Sequence, residues 1–387
     1  MSSVDLLFNE LVEKYKANLD KHEITEAVLE FCDSSSPEEV YQLKRKLDIH
    51  FSPEVGCNYK PGLLTTDIDY GCDLREILYN RDHTLNSDSS QRLLDIFREK
   101  QLPDKSYHIL TDIDDTLFAH EAAGVAGSDV SWGKKKPYPG IITFYERFYG
   151  KLDEQKRYST ILSATPGCMK SARLSDPTMK SILKEYSFIQ GKIESKTDMI
   201  GAIPGTIQNF CRWADRKAFG HEIPADAFIE VYKQFGDTKY QRYTEYKSIF
   251  PEYKFLFIGD NGQGDVIAGK QILESCPECK VFIHQVVENG REHKVPEITM
   301  DGLYYFKNYH ELAKMFQELG IFDEADVSAV AESAISEINR EENSKFKKFF
   351  MGVPGIKGGK PRTRKNRTKK TNLKNKNKNK KSYCKRK

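Results

Sequence analysis

From residue 106 onward five short apolar runs alternate with longer helix-like stretches, and this alternation restricts the chain to one fold class. The runs are Tyr107–Leu110, Thr160–Leu162, Phe255–Ile258, Val281–Ile283 and Leu303–Phe306. Apolar runs this short read as strands buried on both faces. Parallel neighbours need a long crossover between them, usually a helix. Ile141–Phe148, Ile229–Phe235 and Ala268–Leu273 are the candidate crossover helices. The expected core is α/β, a Rossmann-like parallel sheet.

The flanking regions have a different texture. Residues 1–105 predict a helical region, either a lobe of its own or packed on the sheet. In it Val4, Leu7, Leu11 and Tyr15 recur at helical spacing, with Leu6 and Phe8 beside the stripe. Ser36-Pro37-Glu38-Glu39 combines a capping serine, a first-turn proline and two acids at the positive helix end, so a helix starts there. The sheet domain is expected over 106–322, with a small cap or insertion at roughly 170–235, and a charged helix over 323–351. Residues 352–387 are Gly, Pro, Lys, Arg and Asn with almost no apolar side chain, the composition of a disordered tail.

Composition excludes several classes. Hydrophobic residues make up 39% of the 387, with 22 Phe and 20 Tyr, enough to bury a core. No apolar run approaches the ~20 residues of a spanning helix. The acidic, amphipathic start has no signal-peptide pattern, so a cytoplasmic location is expected, peripheral at membranes or nuclear if the basic tail directs it. The eight Cys are expected to be reduced thiols, and Cys276-Pro277-Glu278-Cys279 lacks the second Cys/His pair that a zinc site needs. The net charge of +3 hides an asymmetry: residues 357–387 hold 16 Lys and Arg and no acid, while residues 1–356 carry a net −13.

Chemistry-bearing residues gather at the ends of three expected strands. The first ends in Thr111-Asp112-Ile113-Asp114-Asp115-Thr116. Ligands of parallel α/β sheets bind at the carboxyl ends of the strands. Asp112 stands at that end, and a turn can bring Asp114 back beside it. Two close carboxylates repel, which favours a hard cation, and they can divide labour as nucleophile and proton shuttle. The second strand ends in Leu162-Ser163-Ala164-Thr165-Pro166, where a hydroxyl can hold a phosphate oxygen or, read alone, simply cap a helix. The third runs Phe255-Leu256-Phe257-Ile258-Gly259-Asp260 into Asn261-Gly262-Gln263-Gly264-Asp265, again presenting carboxylates, with Gly262 and Gly264 allowing tight turns.

In this order the three strand ends resemble the haloacid-dehalogenase-like phosphohydrolase superfamily. Within it the chain is most similar to the actin-patch-protein type of phosphatidate phosphatase, and more distantly to lipins. The likeness rests on IDDT (113–116), LSATP (162–166) and FPEYKFLFIGDNGQGD (250–265), and covers roughly 106–310. Asn261 and Thr165 stand where that group usually has Ser, and Phe188–Ile193 lacks the Arg residues of its basic segment.

The resemblance implies a haloacid-dehalogenase-type sheet and Mg²⁺-dependent hydrolysis through an aspartyl-phosphate. Asp112 is the implied nucleophile and Asp114 the acid/base. Ser163, Thr165 and Lys239 are the implied phosphate-binding residues, Lys239 being preferred to Lys247 because it lies about a helix length before Phe250-Pro251. Asp112, Asp114, Asp260 and Asp265 are the implied metal residues, with Asp114 acting through its backbone carbonyl. The implied substrate is phosphatidate at a membrane surface. Alternatives are a phosphatase of soluble phosphomonoesters or nucleic-acid ends, and a non-enzymatic polyanion-binding protein on an inactive phosphatase fold.

The tail generates its own test. Each basic residue near an anionic bilayer contributes about 1 kcal/mol, so a few engaged together give reversible attachment. That attraction fades as the Debye length falls from ~10 Å at 0.1 M salt to ~3 Å at 1 M. The full chain is expected to co-sediment with phosphatidate-containing vesicles or with DNA at low salt only, and a 1–356 truncation not at all. Equal binding by both chains removes the tail from any such role.

Overall fold

The computed structural model describes residues 1–16, 20–48, 74–80, 83–103, 106–119, 129, 131–133, 136–153, 159–162, 225–262, 264–286 and 297–351. The helices, in chain order, are α1 (Ser3–Tyr15), α2 (Lys21–Ser34), α3 (Pro37–Lys46), α4 (Leu74–Leu78), α5 (Asp88–Glu99), α6 (Ile141–Gly150), α7 (Ala225–Ile249), α8 (Asp265–Ser275), α9 (Tyr309–Glu318) and α10 (Glu324–Met351). The strands are β1 (Ser106–Thr111), β2 (Thr160–Ile161), β3 (Tyr253–Asp260), β4 (Lys280–His284) and β5 (Leu303–Phe306). All five apolar runs are strands. They form one parallel sheet in the order β2-β1-β3-β4-β5.

The continuous apolar strands bury both faces by alternation, as period-2 side-chain geometry requires. Leu110, Phe255, Phe257, Val281 and Ile283 enter one core, with α7 and α8. Ile109, Leu256, Ile258, Phe282 and Phe306 enter the other, with α6, α9 and the first turns of α10. An isolated β-bridge at Phe118–Pro137 holds the segment before α6 against the loop after β1.

The helices of 1–105 share the first core. Val4, Phe8, Leu11, Val12 and Tyr15 of α1 are buried in it; Phe8 takes the central place expected for Leu7, which is only partly buried. Ser36 caps α3 with a full capping box, as its sequence predicts. Residues Met1–Asn339 therefore cluster as one compact unit. The second unit, from Arg340, is helical through Met351; the tail beyond lies outside the described residues. Helix α7 begins at Ala225, so the last part of the expected 170–235 insertion belongs to it. The rest of that insertion also lies outside the described residues.

One cysteine expectation fails. Cys276 and Cys279 are joined by a disulfide, with Cα atoms 5.5 Å apart. The cause is local: after α8 the chain turns, and Cys279 N donates to Cys276 O at 3.0 Å, bringing the two side chains together in a buried pocket.

Polar anchors fasten the N-terminal helices to α7 and β3. Lys44 Nζ donates to Ile249 O at 2.9 Å and pairs with Glu252 at 2.7 Å, both side chains fully enclosed. Arg75 pairs with Glu245 at 2.5 Å, Glu245 also faces Arg242 and His83, and Tyr246 OH donates to Asp48 Oδ2 at 3.1 Å. Removing one member of a buried ion pair strands the other charge, at about 3–5 kcal/mol. Lys44→Met is therefore expected to lose stability on that scale in urea unfolding, and the double variant Lys44→Met/Glu252→Leu to recover most of it.

Candidate active site

The site is built where the strand order reverses. From β1 the chain crosses to β2 on one side, and β3 lies on the other side of β1. The carboxyl ends of such a strand pair open a crevice. The register Thr111↔Ile258 levels the two strands. Asp112 N donates to Ile258 O at 2.9 Å, so Asp112 continues β1 beside the last residues of β3, where Asp260 ends the strand.

Three buried carboxylates meet there. Ligand oxygens of Asp112, Asp260 and Asp265 lie within 4.8 Å of one another. Asp265, the first residue of α8, accepts from Asp260 N at 3.1 Å through Oδ2. Asp260 Oδ1 accepts from Gly262 N at 2.6 Å, while its Oδ2 is buried without a hydrogen-bond partner. Asp114 is buried on the turn after β1. Lys239 Nζ lies 3.0 Å from Asp112 Oδ1 and is also ion-paired with Asp265 Oδ1.

Glycine makes this density possible at two places. A Cβ on Gly259 would sit 2.7 Å from Asp265 Cβ, so only glycine lets Asp265 fold back on the strand end. A Cβ on Gly236 would sit 2.7 Å from Ile267 Cβ and 2.8 Å from Gly264 O. The mutual approach of Gly236 and Gly264 lets α7 press on the start of α8, which brings Lys239, one helical turn on, to Asp265. Gly264 thus serves close packing, with φ −84, rather than the tight turn its sequence suggests.

The electrostatics follow from burial. Desolvation, reinforced by Asp265 and Asp114, pushes the Asp112 carboxyl up to about 7 against the pull of Lys239. Asp260 is raised well above the ordinary range by burial and by Asp265, Asp115 and Asp112. Burial opposes the charge on Lys239, but Asp112 and Asp265 outweigh it and the net shift is upward.

Among the described residues the buried acids outnumber the one ammonium beside them, and Asp260 Oδ2 is an acceptor with no donor. Both facts fit a bound cation, and all-oxygen ligands suit a hard one. The cluster can therefore hold a metal ion.

Five sequence-predicted residues come together: Asp112, Asp114, Lys239, Asp260 and Asp265. The metal-spaced cluster contains Asp112, Asp260 and Asp265; the Asp114 carboxylate is not part of it. Ser163 and Thr165 lie outside the described residues. Lys247 is turned away, 3.9 Å from Glu278. Trp132 is partly buried against the second core. Sequence reasoning missed Asp115, Asp129, Tyr138 and His284, which are all buried beside this turn. No family model, curated protein or solved structure matches the chain.

Crowded carboxylates make a stability test. A folded-state pKa above the unfolded value means the native state holds the extra proton, so stability falls as pH rises, here from about 4 toward 7. Asp260→Asn removes one of the crowded charges. In chelator the variant is expected to melt above the parent chain, with the gap widening as pH rises above about 4. Divalent cation should raise the melting temperature of the parent chain much more than that of the variant. A variant that melts lower at every pH and still responds fully to the cation contradicts this account of the cluster.

Proposed function

We propose that the protein is a Mg²⁺-dependent phosphomonoester hydrolase of the haloacid-dehalogenase type, acting through an aspartyl-phosphate. One observation carries this reading. Asp112 directly follows β1, in contact with Lys239 and at ligand spacing from Asp260 and Asp265, with Asp114 two residues on. Metal binding alone gives no reason for a strand-end carboxylate to be followed by a second buried one on the same turn; nucleophilic catalysis with a proton shuttle does.

Asp112, Asp260 and Asp265 would hold the cation. When bound, it neutralises charge on the phosphoryl oxygens. The ionised Asp112 carboxylate attacks phosphorus and the bond from phosphorus to the ester oxygen breaks. Asp114, entering as the acid, gives its proton to the leaving alkoxide. In the second step Asp114 takes a proton from water as the water oxygen bonds to phosphorus; phosphate leaves and Asp112 is regenerated. Lys239 pulls Asp112 toward its ionised form against the effect of burial, and its charge opposes the negative charge that accumulates at the phosphoryl group. Ser163 and Thr165 are the expected holders of phosphoryl oxygens.

The substrate class is the phosphate monoester, with phosphatidate as its lipid member. The test is a screen of the purified chain with Mg²⁺ against phosphatidate vesicles and a panel of soluble phosphate esters. Asp112→Asn, nearly isosteric but unable to form the acyl-phosphate, is expected to fold and to lose turnover. Excess chelator is expected to abolish activity as well. Near-parental turnover by Asp112→Asn with Mg²⁺ present excludes the aspartyl-phosphate route.

A further inference from the structure

Beside the site lies a set of buried polar groups that the proposed chemistry does not use. Asp115 directly follows the proposed acid/base and adopts φ +56, the left-handed region uncommon for any residue but glycine. Its polar groups are pinned. Its N–H donates to Phe118 O at 2.9 Å. Its carbonyl faces His284 Nδ1 at 2.7 Å. Its Oδ2 accepts from Asp129 N at 3.0 Å.

The anchors are themselves held. Asp129 accepts from Ser131 N at 2.7 Å, Ser131 Oγ at 2.9 Å and Tyr138 OH at 2.5 Å. Tyr138 packs its ring edge-on against His284, with centroids 4.6 Å apart. His284 ends β4 in register with Asp260, and its other nitrogen faces Lys307 O at 3.2 Å. Burial lowers the pKa of the His284 ring. A carbonyl oxygen only accepts, so it is an N–H on Nδ1 that His284 donates to Asp115 O.

We propose that Asp115 is a positioning residue for Asp114, with His284 and Asp129 as its anchors. The proposal rests on the phosphatase reading and adds to it how the proton donor is aimed. The unusual backbone turn points the chain back immediately after Asp114. Three hydrogen bonds, to the loop after β1, to Asp129 and to the end of β4, fix that turn relative to the strand carrying Asp260. Freed from them, the turn relaxes toward ordinary backbone angles and the Asp114 carboxyl shifts from the leaving oxygen. Asp112, held by its own bond to Ile258 O, stays where it is.

The consequence is selective. An alkyl phosphate expels a strongly basic alkoxide and needs the Asp114 proton. An aryl phosphate with a weakly basic leaving group needs it far less. The test compares kcat/KM for ethyl phosphate and para-nitrophenyl phosphate, with Mg²⁺, in the full chain. Asp115→Ala is expected to lose about 100-fold on ethyl phosphate, the scale of a small misplacement of a catalytic group, and much less on the aryl ester. Asp115→Asn keeps an acceptor oxygen and tolerates the left-handed region, so it is expected to retain most activity on both.

His284→Asn, which retains a donor near the Nδ1 position, and His284→Leu, which does not, repeat the comparison if Asp115→Ala fails to fold. Equal losses on the two esters, or none, overturn the positioning role while leaving the phosphatase reading intact. A parent chain inactive on every phosphate ester removes both.

Discussion

The structure is organised around a concentration of like charge in a buried place. Asp112, Asp260 and Asp265 bring their carboxylates together at the ends of β1 and β3, Asp114 is buried on the adjoining turn, and Lys239 is the ammonium among them. Such a group is unfavourable by itself, since desolvation and mutual repulsion both oppose ionisation. The fold must hold it in place against both. Register between β1 and β3 fixes two of the acids, Gly259 makes room for the third, and the Gly236–Gly264 contact delivers the lysine.

The lysine sits on a long helix, and a helix is only as well placed as its other faces. The N-terminal helices supply those contacts. Glu245 and Tyr246, less than two turns beyond Lys239, are gripped by Arg75 and Asp48, and the end of the helix is held where Lys44 meets Ile249 O. The Tyr246 hydroxyl also receives a hydrogen bond from Thr160 Oγ1 at 2.9 Å, and His108 Nε2 on β1 faces that Thr160 Oγ1 at 2.9 Å. A single polar chain thus runs from Asp48 through the core to β1 and β2.

Much of this was legible in the sequence, for identifiable reasons. The strands stood out because both faces of a buried parallel strand are apolar, and apolar runs of that length between helical stretches have few other uses. For the same reason their faces were not legible: nothing in Ile109-Leu110 says which enters which core. The acids were found because they stand at strand ends. Lys239 was not separable from Lys247 by composition, and only the likeness to a known family selected it. Asp129 gave no signal, because it is the backbone N–H that Asp115 engages. Chain size argues against any need for cross-links and so predicts two thiols at Cys276 and Cys279, whereas the turn between them brings them into a disulfide. The packing of the first helices on α7 is not legible in the sequence, since an amphipathic helix shows that it has a buried face without showing what covers it.

The joining of the first helices to the middle of the chain also sets an order of events during synthesis. Tyr41 bonds Tyr253 across 212 residues, and Lys44 bonds Glu252 across 208. Until the ribosome has passed β3, the apolar stripes of α1 to α5 lack the partner helix that completes their core. Contacts this distant in sequence slow folding, and domains otherwise tend to form from the N-terminus as they emerge. For this chain the first helices must wait, with hydrophobic surface uncovered, for the segment that carries Lys239, Asp260 and Asp265. The nascent protein is therefore most in need of a chaperone's protection in the interval between making its first helix and making its site.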